Sequence, residues 1–362
     1  MNLADVVRRH GPAYLHKYGA RMPQSHRRAL DAILRCHTPA QGGSLYACDH
    51  CGTRRFAWHR CGHRACNQCG YAQGQQWLTE QTARLLPVSY FLATFTIPQP
   101  LRAIFRSHQR LCYDLLFGES SRALQDLARQ RRYLGGDLGK LGVLHTWSRR
   151  LSYHPHVHYL VPGVALRDDR TLCFPADPEY LLPVRRLSAR FRTRMRQRLR
   201  DAAPHLHVQV PRSVWRKPWV VHSQFAGRGP QALSYLARYV TRSALSSKRL
   251  LHQDERTVTF SFRESKTNIE RPRTLTGEAF LHRFLQHVLP KGFRRVRSYG
   301  WLSPAAKQRL ETVRTLLNPP EPPKIVRATF TIIVACPCCQ RAMRRIADFR
   351  RSRGPPEVLC AS

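Results

Sequence analysis

Histidines alternate with other residues in the segment HPHVHYLV, which occupies positions 154–161. If this segment is a β-strand, His154, His156 and His158 point to one face and the residues between them point to the other. Imidazole is a common ligand of divalent metals, whereas the apolar face can cover a core. The pattern therefore favours a metal site over the alternative of ordinary half-exposed histidines.

The preceding segment VLHTW adds a further histidine, His145. If the two segments pair as a hairpin, symmetric register places His145 opposite His156, and directly opposed residues share a face. His145, His156 and His158 are therefore predicted to hold one metal ion with positions left open for a scissile phosphate. His154 and Gln224 are alternative third ligands.

The segment SYLARYVTR supplies two tyrosines, Tyr235 and Tyr239, on a predicted helix over residues 231–245. Residues four apart lie side by side on a helix, so both hydroxyls emerge on one face. A tyrosine nucleophile forms a covalent phosphotyrosine, which conserves the energy of the broken phosphodiester. Arg238 and Arg242 are predicted to bind DNA. The alternative is that both tyrosines lie at the edge of an amphipathic core.

Two C-x2-C pairs near the N-terminus predict a structural zinc site. Cys48 and Cys51 form the first pair, and Cys66 and Cys69 form the second. Four thiolates at this spacing are typical of tetrahedral zinc. Spare donors that could replace a thiolate or build a second site are Cys36, His59, Cys61 and His63.

The C-terminal tail contains only half of such a motif. Cys336 and Cys339 form one C-x2-C pair, and Cys360 is a distant single partner. A tetrahedral site needs four protein ligands. We therefore expect no metal site in this tail.

Charge dominates the composition. The 362 residues include 61 Lys and Arg against 22 Asp and Glu, a formal net charge of +39. A chain this basic needs a polyanionic partner, and nucleic acid is the natural one. No long apolar stretch or secretory signal is present, which predicts a cytoplasmic protein without a membrane partner. In a reducing compartment the cysteines favour metal binding over disulfides.

The chain divides into three predicted regions. They are a zinc-binding, DNA-contacting domain at 1–82, a catalytic domain at 83–275, and a basic region with a partial cysteine knuckle at 276–362. The predicted strands are 90–97, 143–147, 154–161, 219–224 and 257–262, and the predicted helices are 101–132, broken near Gly118, 184–201 and 231–245. This alternation indicates an α+β fold with one sheet covered by helices.

Together these motifs resemble the two-tyrosine HUH transposases of the insertion sequence 91 family, over residues 10 to 313. The resemblance is carried by CHTPAQGGSLYACDHCG, by VLHTW with HPHVHYLVPG, by YLARYVTR, and by FLHRFLQHVLPKGFRRVRSYG. It implies His156 and His158 as the metal-binding pair and Tyr235 and Tyr239 as nucleophiles. It also implies an HUH-type antiparallel sheet with covering helices, preceded by a small zinc-binding domain.

The resemblance further implies the cofactors, the partners and the reaction. The expected cofactors are structural Zn2+ and catalytic Mg2+ or Mn2+. The expected partners are single-stranded or hairpin transposon ends, target DNA and the host replication machinery. The predicted function is rolling-circle transposition by single-strand nicking and strand transfer. The alternatives are a plasmid replication initiator or relaxase with the same chemistry, and a non-catalytic zinc DNA-binding protein.

Overall fold

The computed structural model describes residues 1–82, 84–228, 231, 233, 244–264, 267–318 and 334–351, with backbone alone for 70–75. The α-helices in this part of the chain are α1 (Leu3–Tyr18), α2 (Gln24–Arg35), α3 (Gly70–Thr82), α4 (Arg102–Ser107), α5 (Gln109–Ala128), α6 (Val184–Ala202), α7 (Pro204–His207), α8 (Gly277–Leu285) and α9 (Lys307–Leu317). The strands are β1 (Gly43–Ala47), β2 (Arg54–Trp58), β3 (Ser89–Thr96), β4 (Asp137–Leu138), β5 (Lys140–Trp147), β6 (Tyr153–Pro162), β7 (Ala165–Leu166), β8 (Leu172–Cys173), β9 (Val221–Arg228), β10 (Leu250–Gln253), β11 (Thr257–Arg263), β12 (Glu270–Thr276), β13 (Val296–Tyr299) and β14 (Arg344–Phe349).

A five-stranded antiparallel sheet forms the centre of the fold, in the order β13-β5-β6-β3-β9. Helices α5 and α6 cover one of its faces. The buried residues of α6 recur mainly at four-residue spacing, as Leu187, Phe191, Met195 and Leu199, so its arginines face outward. Phe191 packs edge-on against Phe95 of β3, with ring centroids 5.1 Å apart. This face is the main core.

The opposite face of the sheet is less extensively covered. A smaller apolar cluster lies there, formed in part by Leu92, Val143 and Leu160 from the sheet with Trp301 and Leu233 from later segments. Opposed residues in a ladder share a face, and β5, β6 and β3 all contribute to this cluster. Part of this face therefore remains available for polar side chains.

The N-terminal helices pack on a second sheet. Strands β10, β11 and β12 form it, and α8 follows directly. A third apolar cluster joins Leu3 and Leu30 of α1 and α2 to Phe260 of β11 and Phe280 of α8. Residues of all three predicted regions therefore share this core.

A third sheet joins the two ends of the chain. Strand β14 pairs with β1, and β1 pairs with β2, both antiparallel. In addition, β13 is an edge strand of the central sheet. The described residues after 276 therefore contact both the N-terminal region (1–82) and the central region (83–275). The boundaries between the three regions stay predictions.

The predicted α+β fold, with an antiparallel sheet covered by helices, is confirmed. The strands predicted at 90–97, 143–147, 154–161 and 257–262 are also confirmed, and each observed end lies within three residues of the predicted one. The strand at 257–262 belongs to the second sheet, not the central one. The 219–224 strand begins at Val221 and runs on to Arg228, and the basic helix spans Val184–Ala202. Most of the predicted helix 231–245 lies outside the described residues.

The predicted helix break near Gly118 is wrong. The chain breaks at His108, between α4 and α5, and Gly118 lies inside α5. A single glycine costs a helix only about 1 kcal/mol. Burial of residues such as Tyr113, Leu116 and Phe117 along α5 outweighs that cost. None of the described helices is long and apolar enough to cross a membrane.

Candidate metal centres and DNA-processing site

The pairing of β5 with β6 gathers three histidines. His145 is directly opposite His156, as symmetric register predicts, and His158 follows on the same face. The ring centroids of His145 and His158 are 4.8 Å apart, as are those of His156 and His158. One nitrogen of each ring lies within 4.8 Å of the others. The structure thus brings these three side chains together, and their role as metal ligands stays a prediction.

Each imidazole of this histidine cluster is held in place by a neighbour. The His156 Nδ1–H donates to the backbone carbonyl of His154 at 2.6 Å, which leaves its Nε2 directed away from that bond. Nδ1 of His158 lies 2.9 Å from the Thr94 hydroxyl on β3. His145 stacks on Trp147, with centroids 4.8 Å apart and an interplanar angle of 16°. Such supports fix ligand orientation in metal sites.

Burial favours the neutral forms of His156 and His158. Burial, followed by the neighbouring His158, lowers the pKa of His156 well below its ordinary value. Burial also lowers the pKa of His158 to about 4. A neutral imidazole has the lone pair that a metal ligand needs. The donor set thus fits a divalent ion with three protein ligands and open positions.

The two alternative ligands are not part of this group, although the His154 ring centroid is 5.2 Å from that of His156. Nδ1 of His154 accepts a hydrogen bond of 2.7 Å from Arg102, and burial with Arg102 lowers the pKa of His154 to about 4. Gln224 pairs with Leu92 on β3 and is exposed. Its strand, β9, is separated from β6 by β3. Of the three candidates for the third ligand, His145 is therefore the one that the geometry groups with His156 and His158.

The predicted nucleophiles and DNA-binding arginines lie outside the described residues: Tyr235, Arg238, Tyr239 and Arg242. The described residues on either side are buried. Leu233 is 1% exposed and packs in the cluster on the histidine-bearing face of the sheet. Ala244 packs in the cluster that contains α1, α2 and α8. The chain therefore enters this segment from the histidine-bearing face of the sheet.

The cysteines group differently from the prediction. Cys48 and Cys51 do not share a site with Cys66 and Cys69, so the single four-thiolate site predicted for these residues is wrong. The structure forms two four-cysteine clusters instead. The first consists of Cys36, Cys61, Cys66 and Cys69, and the second of Cys48, Cys51, Cys336 and Cys339. The tail expected to bind no metal supplies half of the second cluster.

The first cluster lies beside the N-terminal helices. Cys36 follows α2, Cys61 follows β2, and Cys66 and Cys69 precede α3. The sulfur of Cys69 is 3.4 Å from that of Cys36 and 3.5 Å from that of Cys61. Zinc–sulfur bonds of 2.3 Å in a tetrahedron give sulfur–sulfur distances of about 3.8 Å, so this cluster fits zinc.

Sequence reasoning missed three features of these sites. The first is Thr94, which lies in the predicted strand 90–97 and pairs with His158. The second is Trp147, which stacks on His145. The third is the pairing of the C-terminal half motif with Cys48 and Cys51, which lie far earlier in the sequence. Arg64 lies in the predicted DNA-contacting domain, and its guanidinium donates to the carbonyls of Pro290 and Phe293.

The three-histidine cluster on the antiparallel sheet and the two four-cysteine clusters are the donor sets of a metal-binding protein. The net charge of +39 is typical of a protein that acts on nucleic acid. Comparisons with known proteins agree. Residues 139–309 match the family model described as "Putative transposase", and residues 6–97 match the "Transposase zinc-binding domain". The chain belongs to the insertion sequence 91 family of transposases, with the zinc-binding domain at its N-terminus.

Two relatives support this assignment. The "Putative transposase y4qJ" of Sinorhizobium fredii is 34% identical over 98% of this chain and 97% of its own length. The "Transposase for insertion sequence element IS801" of Pseudomonas savastanoi pv. phaseolicola is 29% identical over 75% of this chain and 68% of its own length. No solved structure matches the chain. DNA is therefore the substrate, and transposition is favoured over plasmid replication.

Proposed function

We propose that this transposase moves its insertion sequence by rolling-circle transposition, through metal-dependent nicking of single-stranded DNA and 5′-phosphotyrosine intermediates. The observation that carries the proposal is the cluster of His145, His156 and His158 on one face of the sheet. Three imidazole ligands leave coordination positions free for a phosphate oxygen. Transposase family membership makes DNA the source of that phosphate.

The histidine cluster would hold Mg2+ or Mn2+. A divalent cation there supplies Lewis-acid polarisation of the scissile phosphate. The chain's own part is to present three oriented ring nitrogens, with His156 held by a backbone carbonyl and His158 by Thr94. Because these rings are neutral, they add no charge that would repel the cation.

The proposed nucleophiles are Tyr235 and Tyr239. One tyrosine oxygen bonds to phosphorus, and the bond from phosphorus to the 3′ oxygen breaks. The tyrosine gives up its hydroxyl proton and the departing 3′ oxygen gains one, which leaves a 5′-phosphotyrosine and a free 3′ hydroxyl. That hydroxyl would prime the host replication machinery. The second tyrosine would serve the next transfer without release of a DNA end.

The burial of Leu233 supports this placement of the tyrosines. Leu233 precedes Tyr235 by two residues and packs with Leu92 and Val143 on the histidine-bearing face. The predicted helix over 231–245 would, from this starting point, carry Tyr235 near that face. Arg238 and Arg242 would bind the phosphates of the DNA strand near the tyrosines.

The proposed DNA substrate is a single-stranded or hairpin end of the element. Tyrosine attack needs the scissile phosphate exposed, and an unpaired strand gives that access. The net charge of +39 supports strong phosphate binding of this strand and of the target DNA. In the N-terminal domain, Cys36, Cys61, Cys66 and Cys69 would hold a structural zinc ion.

A nicking assay on single-stranded oligonucleotides from the element's ends tests the proposal. The His156→Ala, His158→Ala double variant should lose nicking and covalent adduct in the presence of Mg2+ or Mn2+, while its fold is retained. His154→Ala is the matched control, because His154 lies on the same strand but outside the cluster. Chelation should abolish cleavage by the wild type, and added metal should restore it.

Two results would contradict this function. Nicking that survives both chelation and the double substitution would show that the histidine cluster has no catalytic part. DNA binding by the wild type without any nicked product or covalent adduct would identify a zinc DNA-binding protein instead.

A further inference from the structure

The second cysteine cluster joins the two ends of the chain. We propose that Cys48, Cys51, Cys336 and Cys339 bind a second zinc ion, and that this ion fastens the C-terminal segment to the N-terminal domain as one zinc ribbon. The proposal does not depend on the nicking chemistry. It rests on the geometry of two hairpins and on the contacts between them.

The N-terminal knuckle, the turn that carries Cys48 and Cys51, has the backbone geometry of a zinc-binding turn. It lies between β1 and β2, where the amide of Cys48 donates to the carbonyl of Thr53 at 2.9 Å. The amide of Gly52 donates to the carbonyl of Cys48, also at 2.9 Å. Gly52 has a φ of 71°, the left-handed conformation that closes the turn. Both cysteines of the pair thereby lie on one tight turn.

The C-terminal knuckle repeats this geometry. The amide of Cys336 donates to the carbonyl of Arg341 at 2.8 Å, and that of Gln340 donates to the carbonyl of Cys336 at 3.0 Å. Gln340 has a φ of 59°, at the position equivalent to Gly52. A left-handed conformation is uncommon for a residue with a side chain. The two knuckles are therefore built alike, as in a zinc site made from two hairpin tips.

The four sulfur atoms meet across the two turns. The sulfur of Cys48 lies 3.5 Å from that of Cys339, and the sulfur of Cys51 lies 3.5 Å from that of Cys336. All four lie within 4.8 Å of one another. These distances are close to the about 3.8 Å expected around tetrahedral zinc. None of the four forms a disulfide.

Contacts away from the sulfurs hold the same arrangement. Strand β14 pairs with β1 along its whole length. The Ser44 hydroxyl donates to the Asp348 carboxylate at 2.6 Å. Arg344 donates to both carboxylate oxygens of Asp49, at 3.0 and 3.2 Å. The knuckles thus meet because their strands form one sheet, which makes the cluster a built site.

Zinc content tests the site. Purified full-length wild type should contain one more zinc ion per chain than the Cys336→Ser, Cys339→Ser double variant, measured by elemental analysis under reducing conditions. Cys338→Ser is the matched control, since Cys338 lies between these residues but outside the cluster, and it should keep the wild-type content. Equal zinc in wild type and double variant, or a loss in the control, would overturn the proposal.

Cysteine alkylation of the wild type decides the question even where the double variant fails to fold. Cys51 and Cys338 are both exposed, so burial alone predicts that both react. If Cys51 binds zinc, its alkylation should be at least tenfold slower than that of Cys338 until a chelator is added. Equal alkylation of the two thiols before chelation would contradict the proposal.

A second inference concerns the surface of this ribbon. Phe56 of β2 and Phe349 of β14 are 50% and 42% exposed. Phe56 stacks on Trp58 with centroids 4.9 Å apart and an interplanar angle of 8°, and Phe349 lies 5.8 Å from Phe56. Gly43 lies between Trp58 and Phe349 in the ladder, where a side chain would collide with the Trp58 ring. The sheet thus presents an aromatic surface, formed by Phe56, Trp58 and Phe349.

The charges beside this aromatic surface match DNA. Arg54 shares the face of Phe56 and Trp58 on β2, and Arg60 and Arg350 lie just beyond β2 and β14; all three are exposed. Aromatic rings among arginines are the combination that binds unpaired bases and their phosphates. We infer that the aromatic surface stacks bases of single-stranded DNA, an inference that rests on the single-stranded substrate proposed above.

The experiment compares DNA affinity with nicking. Phe56→Ala with Phe349→Ala should weaken binding of a single-stranded oligonucleotide about fivefold or more. The same variant should keep its zinc content, and half-maximal nicking should require a correspondingly higher DNA concentration than in the wild type. Phe174→Ala is the control, because Phe174 is also 50% exposed but lies outside the ribbon.

An affinity change below twofold would overturn the stacking role. Equal weakening for duplex and single-stranded DNA would also reject it, since paired bases are not free to stack on the protein. If the wild type itself does not nick saturating single-stranded DNA, that result would instead count against the proposed function.

Discussion

Thr94 offers a specific test of the histidine cluster. Its hydroxyl lies 2.9 Å from Nδ1 of His158 and orients that ring from the neighbouring strand. Thr94→Val removes this contact while the side chain keeps nearly the same shape. The variant should therefore fold normally but bind the catalytic cation more weakly.

The size of the effect follows from the role of the contact. Partners that orient a metal-ligating histidine are typically worth 10- to 100-fold in metal affinity, or about 1.4–2.7 kcal/mol. His158 is one of the three proposed ligands and is 7% exposed, so the contact with Thr94 lies in a largely buried setting. We expect a shift in the cation's apparent Kd within this range. Saturating metal should restore most of the nicking rate.

Thr96→Val is the matched control. Thr96 pairs with His156, but His156 is oriented by the carbonyl of His154 instead. The assay is a titration of nicking rate against Mn2+ for wild type and both variants. A Thr94→Val protein with an unchanged metal midpoint would refute the assigned role. So would a lower rate that excess metal does not rescue.

Three further predictions follow from the structure and the sequence. Phenylalanine at both Tyr235 and Tyr239 should abolish the covalent protein–DNA adduct in denaturing gels and leave DNA affinity within about twofold; residual adduct would exclude these nucleophiles. With a net charge of +39, affinity for single-stranded DNA should fall about tenfold or more between low and moderate salt, and a flat response in a filter-binding assay would contradict phosphate-dominated binding. Lys140 is 2% exposed, and burial lowers its pKa from 10.5 to about 7. The unfolded chain therefore holds this proton between about pH 7 and 10.5 where the folded chain does not, so stability rises with pH across that window. Lys140→Met should raise the free energy of unfolding by about 1–4 kcal/mol at pH 7, a figure that already includes the loss of two hydrogen bonds. At pH 10 the rise should be much smaller, and urea denaturation at both pH values measures the difference. A variant less stable than wild type at pH 7 would show that the contacts of Lys140 with Ser121 and Gln125 outweigh its burial.

The central sheet could be predicted because its strands carry local signals. In β6 the alternation of histidines with Val157 and Tyr159 specifies which face is buried, and a one-residue slip would reverse both faces. The same alternation and a symmetric hairpin were enough to place His145 opposite His156. Where the signal was a lone residue, as at Gly118, the prediction failed, because the buried length of α5 outweighs one glycine.

The separation of the sheets could not be read from the sequence. Strand β11 has as clear an alternation as β6, yet it pairs with β10 and β12. Alternation specifies that one face is buried but carries no information on which core covers it. In this chain Phe260 of β11 packs with α8 and with the N-terminal helices, which are more than 200 residues away in sequence.

The cysteines show the same limit more sharply. A C-x2-C pair fixes two ligands on one turn through local hydrogen bonds, so each half of a zinc site is visible in the sequence. Which halves combine depends on long-range strand pairing, here β1 with β14 and not β1 with the chain before α3. Nearness along the chain favoured pairing Cys48 with Cys66, whereas the sheet brings Cys48 to Cys339. The unpaired C-terminal knuckle was the signal that another half-site existed. A lone C-x2-C near either end of a chain is therefore a reason to seek its partner at the other end.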